Sequence, residues 1–199
     1  MAIRHGARIG AGTDIRGELH TTPRAGRLPH TGDNAMSREV YGMLRLSAAL
    51  ACAVDGDHRG AAEHGAEAAR IAEPLGDRPE AFELFGPANV GVWRTSLAVE
   101  AGNAGEALEH AARVEPRALA SGNRRAALRL EKARAKAMLG DDGGAIAELK
   151  HADRLSPAQV RNHPLVREMV AHILDSARRE AGGRDLRGLA WRLGLIKSA

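Results

Sequence analysis

Five side chains of this sequence carry the chemistry best suited to holding another molecule: Asn89, Trp93, Arg94, Ser96 and Arg134. Asn89 offers two donors and an acceptor, the set that a peptide backbone requires. The guanidinium forks of Arg94 and Arg134 match a carboxylate in bidentate fashion. Trp93 has the area to anchor a guest in a groove. Each also has a structural reading: Asn89 as a helix-start amide bonding locally, Trp93 as core, the two arginines as surface or structural residues. The chemistry on either reading is noncovalent.

Residue patterns for bond making are not found. Ser47 and Ser96 lie in no nucleophile-elbow sequence, and no pair of Asp or Glu sits in a glycine-rich loop, so no catalytic residue and no enzyme are expected. Of the nine histidines, His58 and His64 stand six apart across a helix start and face different ways, with no Cys or His to complete a ligand set. No metal is expected. Gly10-Ala-Gly12 lacks both a preceding strand and a third glycine at phosphate-loop spacing, so no nucleotide cofactor is expected.

Composition sets the frame for these side chains. Hydrophobic residues make up 44% of 199 but aromatics only 3%, so the apolar content is Ala, Leu and Val, which favours alanine-packed helices over strands. The length suits one domain with an appendage. A net charge of +4, from 29 mostly Arg cations against 25 anions, does not by itself argue for nucleic acid. Between Asn123 and Lys136, however, Arg124, Arg125, Arg129, Lys132, Arg134 and Lys136 face only Glu131. That strip is either a solvated helix face or a basic wall for an acidic peptide, ligand or nucleic acid. Cys52, the single cysteine, lies in the apolar interval 47–54 and reads as a small core residue of a reducing cytoplasm. No apolar run approaches the ~20 residues needed to span a bilayer, and the N-terminus has no apolar stretch of a signal peptide. The expected location is cytoplasmic, without a membrane.

Residues 1–36, rich in Gly, Pro, Arg and His without apolar periodicity, are expected to be disordered. From Ser37, taken as an N-cap, Val40, Met43, Leu44, Leu46, Leu50 and Val54 put a wide apolar face on a helix that Gly56-Asp57 ends. A second helix runs from Arg59 to about Glu73. The next pair covers about Pro87–Ala101 and Ala104–Val114 around Gly102-Asn103, and the third covers about Arg124–Leu155 around Gly140-Asp141. Ser156-Pro-Ala-Gln159 reads as a capping box, Pro164 opens a further helix, and a last helix, about Arg184–Leu195, carries Leu186, Leu189, Ala190, Trp191 and Leu193 to cover the end of the stack.

Gly140, Ala145, Ala152 and Pro157 are spaced as in antiparallel helices that cross through small side chains, with weaker echoes at Gly56, Ala61 and Ala68 and at Gly102 and Ala107. This pattern resembles the tetratricopeptide repeat. Three stretches, Tyr41-Gly-Met-Leu-Arg-Leu-Ser-Ala-Ala-Leu50, Phe85-Gly-Pro-Ala-Asn-Val90, and Arg161-Asn-His-Pro-Leu-Val166 with Gly183-Arg-Asp-Leu-Arg-Gly-Leu-Ala-Trp191, resemble the C-terminal tetratricopeptide half of actinobacterial helix-turn-helix (XRE-type) transcriptional regulators over residues 37–199. The resemblance implies an all-α, right-handed solenoid with a C-terminal capping helix. The first helix of each pair then lines a concave groove, where Asn89, Trp93, Arg94, Ser96 and Arg134 meet a peptide, a partner protein or a small effector. Such regulators carry an N-terminal helix-turn-helix domain, whereas residues 1–36 hold no pair of short amphipathic helices. A truncated form without direct DNA binding is therefore expected. The alternative is a scaffold that forms homodimers through an open edge made by Met43, Leu44, Leu46 and Leu50.

Overall fold

Three glycine turns set the architecture. In the computed structural model, which describes residues 34–177 and 183–196, every regular element is helical. They are α1 (Ala35–Val54), α2 (His58–Ala72), a single 3-10 turn at Phe82–Leu84, α3 (Pro87–Glu100), α4 (Ala104–Arg113), α5 (Gly122–Met138), α6 (Asp142–Leu155), the short α7 (Pro157–Arg161), α8 (Pro164–Ala177) and α9 (Arg184–Arg192). Gly56, Gly102 and Gly140 take φ of 81°, 80° and 76°, the left-handed conformation that glycine enters without a Cβ penalty. Each turn sends the following N–H back to the helix it ends: Asp57 to the Cys52 carbonyl at 2.8 Å, Asn103 to Ala98 at 2.8 Å, Asp141 to Lys136 at 2.9 Å. The same residue then starts the next helix. The Asp57 and Asp141 carboxylates accept from Gly60 N–H at 2.9 Å and Gly144 N–H at 2.8 Å. Connections this short make α1/α2, α3/α4 and α5/α6 antiparallel hairpins. Gly140→Ala is expected to cost about 1–2 kcal/mol, read as a fall in the urea midpoint, because alanine must hold a left-handed φ.

Small side chains let the hairpins close. Ala61, Ala68, Ala107, Ala145 and Ala152 of the second helices are buried, as are Ala49, Thr95 and Ala133 of the first, and Ala49 packs with Ala61 and Ala133 with Ala145 and Ala152. The largest apolar cluster joins Leu130, Leu149, Val160, Val166, Val170 and Leu189 across α5 to α9. Helices touch their neighbours in chain order, with α1 against α3 and α3 against α5. Three polar contacts tie α3 to α5: Arg124 to Asn89, Ser96 to Glu131, and Arg134 to Glu100, joining residues 35, 35 and 34 apart. Between the first two pairs Phe85 is fully buried with Leu46, Ala68, Ala72 and Val90, its ring occupying the space where a Cβ on Gly42 would lie.

Several sequence expectations change. The cap of α1 is Asn34, whose Oδ1 accepts from Ser37 N–H at 2.8 Å; Ser37 lies inside the helix as the third-position donor. Residues 1–33, including Gly10-Ala-Gly12, lie outside the described residues. Ser156 precedes α7, but its hydroxyl bonds Asn123 Oδ1 at 2.8 Å in place of a capping box, because α5 packs over it. Trp191 is 55% exposed, since Leu186, Leu189, Ala190 and Leu193 already fill the buried side of α9. On α1, Leu46 is fully buried in the hairpin and Met43 half-buried; Met36, Leu44, Leu50 and Val54 form the exposed apolar face.

Candidate ligand-binding pocket

The longer connections, from α2 to α3 and from α4 to α5, converge on the first turns of α3 and α5. Glu39 of α1 is 1% exposed and holds the first of these loops, accepting from Arg78 and from Phe82 N–H at 2.8 Å. Gly86 begins α3 without a side-chain cap, and Asp77 supplies one from the loop, its Oδ1 accepting from Ala88 N–H at 3.0 Å. Glu83 and Leu84 both take left-handed φ, 50° and 57°, which costs a residue with a Cβ and persists only where surrounding bonds fix it. Asn89 does the fixing: its Nδ2 donates to the Glu83 carbonyl at 3.3 Å while its Oδ1 accepts from Arg124.

These groups border a cavity of about 290 Å³ lined by Asp77, Arg78, Pro79, Leu84, Asn89, residues 117–120 and Arg124. Arg78 is neutralised by Glu39. Arg124 is not paired with a carboxylate, its Nε is buried without a partner, and burial pushes its pKa down. Arg117, exposed in the second loop, has no carboxylate within ion-pair distance among the described residues. Of the lining charges not already ion-paired among the described residues, Arg117 and Arg124 stand against Asp77, an excess of one positive charge, while Arg78 is shared by Glu39 and, at 3.6 Å, by Glu80. The arrangement can hold an anion beside an apolar wall.

The five expected residues are not brought together. Asn89 alone reaches the cavity. Trp93 is half-buried against the cluster around Phe85. Ser96 donates to Glu131 Oε1 at 3.3 Å, and Arg134 donates to Glu131 Oε2 at 2.9 Å and Glu100 Oε1 at 2.8 Å, so these two join a polar seam between α3 and α5. Within it burial raises the Glu131 pKa above the ordinary carboxylate value, against the pull of Arg134. Arg94, one residue round the helix from Trp93, lines a separate crevice of about 50 Å³ with His58, Glu106 and His110.

In that crevice His110 Nε2 lies 3.3 Å from Glu106 Oε1. Burial first, and Arg94 second, push its pKa below 6.5 despite Glu106. A histidine depressed in the folded state binds its proton more readily when unfolded, so stability falls as pH drops below about 6.5. His163, also lowered by burial and by Arg134, acts in the same direction. The midpoint of urea unfolding is expected to decline between pH 7 and pH 5, and His110→Gln to flatten part of that decline.

Residues 123–136 do not present a uniform basic face. Arg129, Lys132 and Lys136 converge on the buried Glu148, with N–O distances of 2.7, 3.2 and 3.7 Å. Burial pushes the Glu148 carboxyl up, and the bond from Arg129 with the charge of Lys132 outweighs it, leaving the pKa below the ordinary value. Sequence reasoning placed Arg124 in this strip and missed its place on the cavity, along with Arg78, Arg117 and Asp77. Their signal, unlike a motif, lies in which loops meet.

Among the described residues no group of three or more His, Cys, Asp or Glu is placed to hold a metal ion, and no helix is long and apolar enough to cross a membrane. No protein-family model, curated protein or solved structure matches the chain.

Proposed function

We propose that the chain is a regulatory binding module of the cytoplasm: a right-handed, tetratricopeptide-like stack capped by α9, related to the sensor half of XRE-type regulators. A peptide, partner protein or small effector occupies it, and the signal is a shift in the stack. Three like turns, buried small residues at the crossings, and an α3–α5 register close to the 34-residue tetratricopeptide period support this reading. The observation that carries it is the cavity shared by Asn89 of one pair and Arg124 of the next. A guest there touches both pairs at once, so its binding energy depends on how they are set against each other.

The test is a thermal-shift screen with short peptides and with anionic, neutral and cationic small molecules, run on the native chain and on Asn89→Ala. A ligand at a hundred times its Kd stabilises by about 2.7 kcal/mol, enough for a clear shift. A ligand that stabilises the native chain but not the variant supports the module, and no Asn89-dependent shift in any class contradicts it.

A second reading rests on the exposed face of Met36, Leu44, Leu50 and Val54 along α1. It is self-association into a homodimer. Concentration-dependent light scattering that Leu44→Glu abolishes supports this reading, and a monomer at high concentration excludes it.

A further inference from the structure

We propose that the cavity between α3 and α5 is a site for a small organic monoanion, a carboxylate carried on a short apolar body. The inference rests on the module reading and narrows it to one ligand class. The first argument is the state of Arg124. A guanidinium drawn partly out of water gains from an ionic partner, and among the described residues the Arg124 side chain bonds only the neutral Asn89 amide, with its Nε buried and unbonded. A carboxylate presents two oxygens to such a fork, so it makes two parallel bonds where the amide oxygen makes one, and it adds the opposite charge that the amide lacks. Arg117 stands on the same cavity, its guanidinium in no ion pair among the described residues while its backbone N–H donates to Glu115 Oε1 at 3.0 Å, and adds a second cation from a different loop.

Charge fixes the valence. Arg78 is already ion-paired, with the buried Glu39 and at 3.6 Å with the exposed Glu80, and Asp77 is held on Ala88 N–H facing the same space. With Arg78 already paired, Arg117 and Arg124 against Asp77 leave one positive charge, which suits one negative charge, and a dianion such as a phosphomonoester meets the Asp77 carboxylate without compensation. A cationic guest faces three guanidiniums. Shape fixes the remainder: Pro79, Leu84 and Leu119 give an apolar wall, and about 290 Å³ lies at the small end of ligand sites, suited to a metabolite rather than to a folded segment.

The experiment is calorimetric titration of butanoate, hexanoate and octanoate, each beside its primary amide, into the full chain and into Arg124→Gln and Arg117→Gln. At least one acid is expected to bind about tenfold or more tightly than its amide, the step of about 1.4 kcal/mol that one charge-assisted bond supplies. Arg124→Gln removes the preference, and Arg117→Gln, at an exposed loop position whose side chain makes no ion pair among the described residues, reduces it at least threefold. If Arg124→Gln does not fold, the Arg117→Gln result decides. Equal binding of acid and amide, no binding of any acid, or a preference that survives Arg117→Gln unchanged overturns the proposal. Failure here with an Asn89-dependent shift from a neutral or cationic compound leaves the module reading standing; failure with no such shift removes both.

Discussion

Phe85→Ala is expected to lower the unfolding free energy by about 4 kcal/mol, a large part of the 5–15 kcal/mol that holds a domain of this kind together. Phe85 is fully buried, and its ring contacts α1 where Gly42 leaves no side chain in the way. It joins Leu46 of α1, Ala68 and Ala72 of α2, and Val90 of α3 in one cluster, so removing it opens a void between the first two helix pairs. Alanines that close the hairpins lack the reach to refill that void. The reciprocal change, Gly42→Ala, places a methyl within the ring. It is expected to cost about 1–3 kcal/mol in overpacking, partly offset by about 1 kcal/mol of helix propensity, and Phe85→Leu in the same chain should recover some of the loss. Urea unfolding followed by circular dichroism measures all three; a loss below 1 kcal/mol for Phe85→Ala contradicts the packing described. The functional link is direct, since Phe85 follows the left-handed pair Glu83–Leu84 and anchors the loop on which Leu84 meets the cavity.

Glu148→Gln is expected to cost about 2–3 kcal/mol at pH 7, because it leaves Arg129, Lys132 and Lys136 gathered around a neutral group. The cost is below that of a fully dry pair. All three cations are a quarter to a third exposed and can swing partly to water on their long stems. The pH dependence follows from the sign of the shift. A carboxylate held below its unfolded pKa of 4.5 stabilises fully above that value, and the contribution is lost as pH falls through the lower folded pKa. The native chain and Glu148→Gln should therefore differ at pH 7 and converge on the acid side of pH 4.5. Glu131 acts with the opposite sign. Burial raises its pKa, so protonation on the way down to pH 4.5 favours the folded state. Denaturant titrations of native, Glu148→Gln and Glu131→Gln chains across pH 3–7 separate the two, and a constant gap between native and Glu148→Gln down to pH 3 contradicts the geometry.

Local signals were legible in the sequence because they act within one turn of chain. Gly56, Gly102 and Gly140 each announce a left-handed residue, followed at Asp57 and Asp141 by a capping carboxylate, and the helix starts at Pro87, Ala104 and Pro164 fall where the sequence places them. The small residues of the first helices escaped notice, although Gly42, Ala88 and Ala126 stand at one spacing before the turn glycines, and Ala49, Thr95 and Ala133 at another. Trp191 reads with its neighbours as part of the covering face of the last helix, whereas the phase of Leu186, Leu189 and Leu193 turns it outward. The cavity was out of reach for a different reason. Arg124 meets Asn89 across 35 residues and Arg78 meets Glu39 across 39, and no local pattern encodes which arginine finds a carboxylate and which does not. The cation strip looked uniform along the chain, yet folding divides it between Glu148, the Glu131 seam and the cavity.

The central claim is that a guest is held between successive helix pairs, and amide shift mapping by nuclear magnetic resonance tests it most directly. Titrated with the strongest ligand from the stability screen, the chain should show its largest changes at residues 77–84, 117–124 and the first turn of α3, saturating together with one Kd. Changes confined to the Arg94–His110 crevice or to the exposed face of α1, with the Asn89 and Arg124 signals unmoved, contradict it.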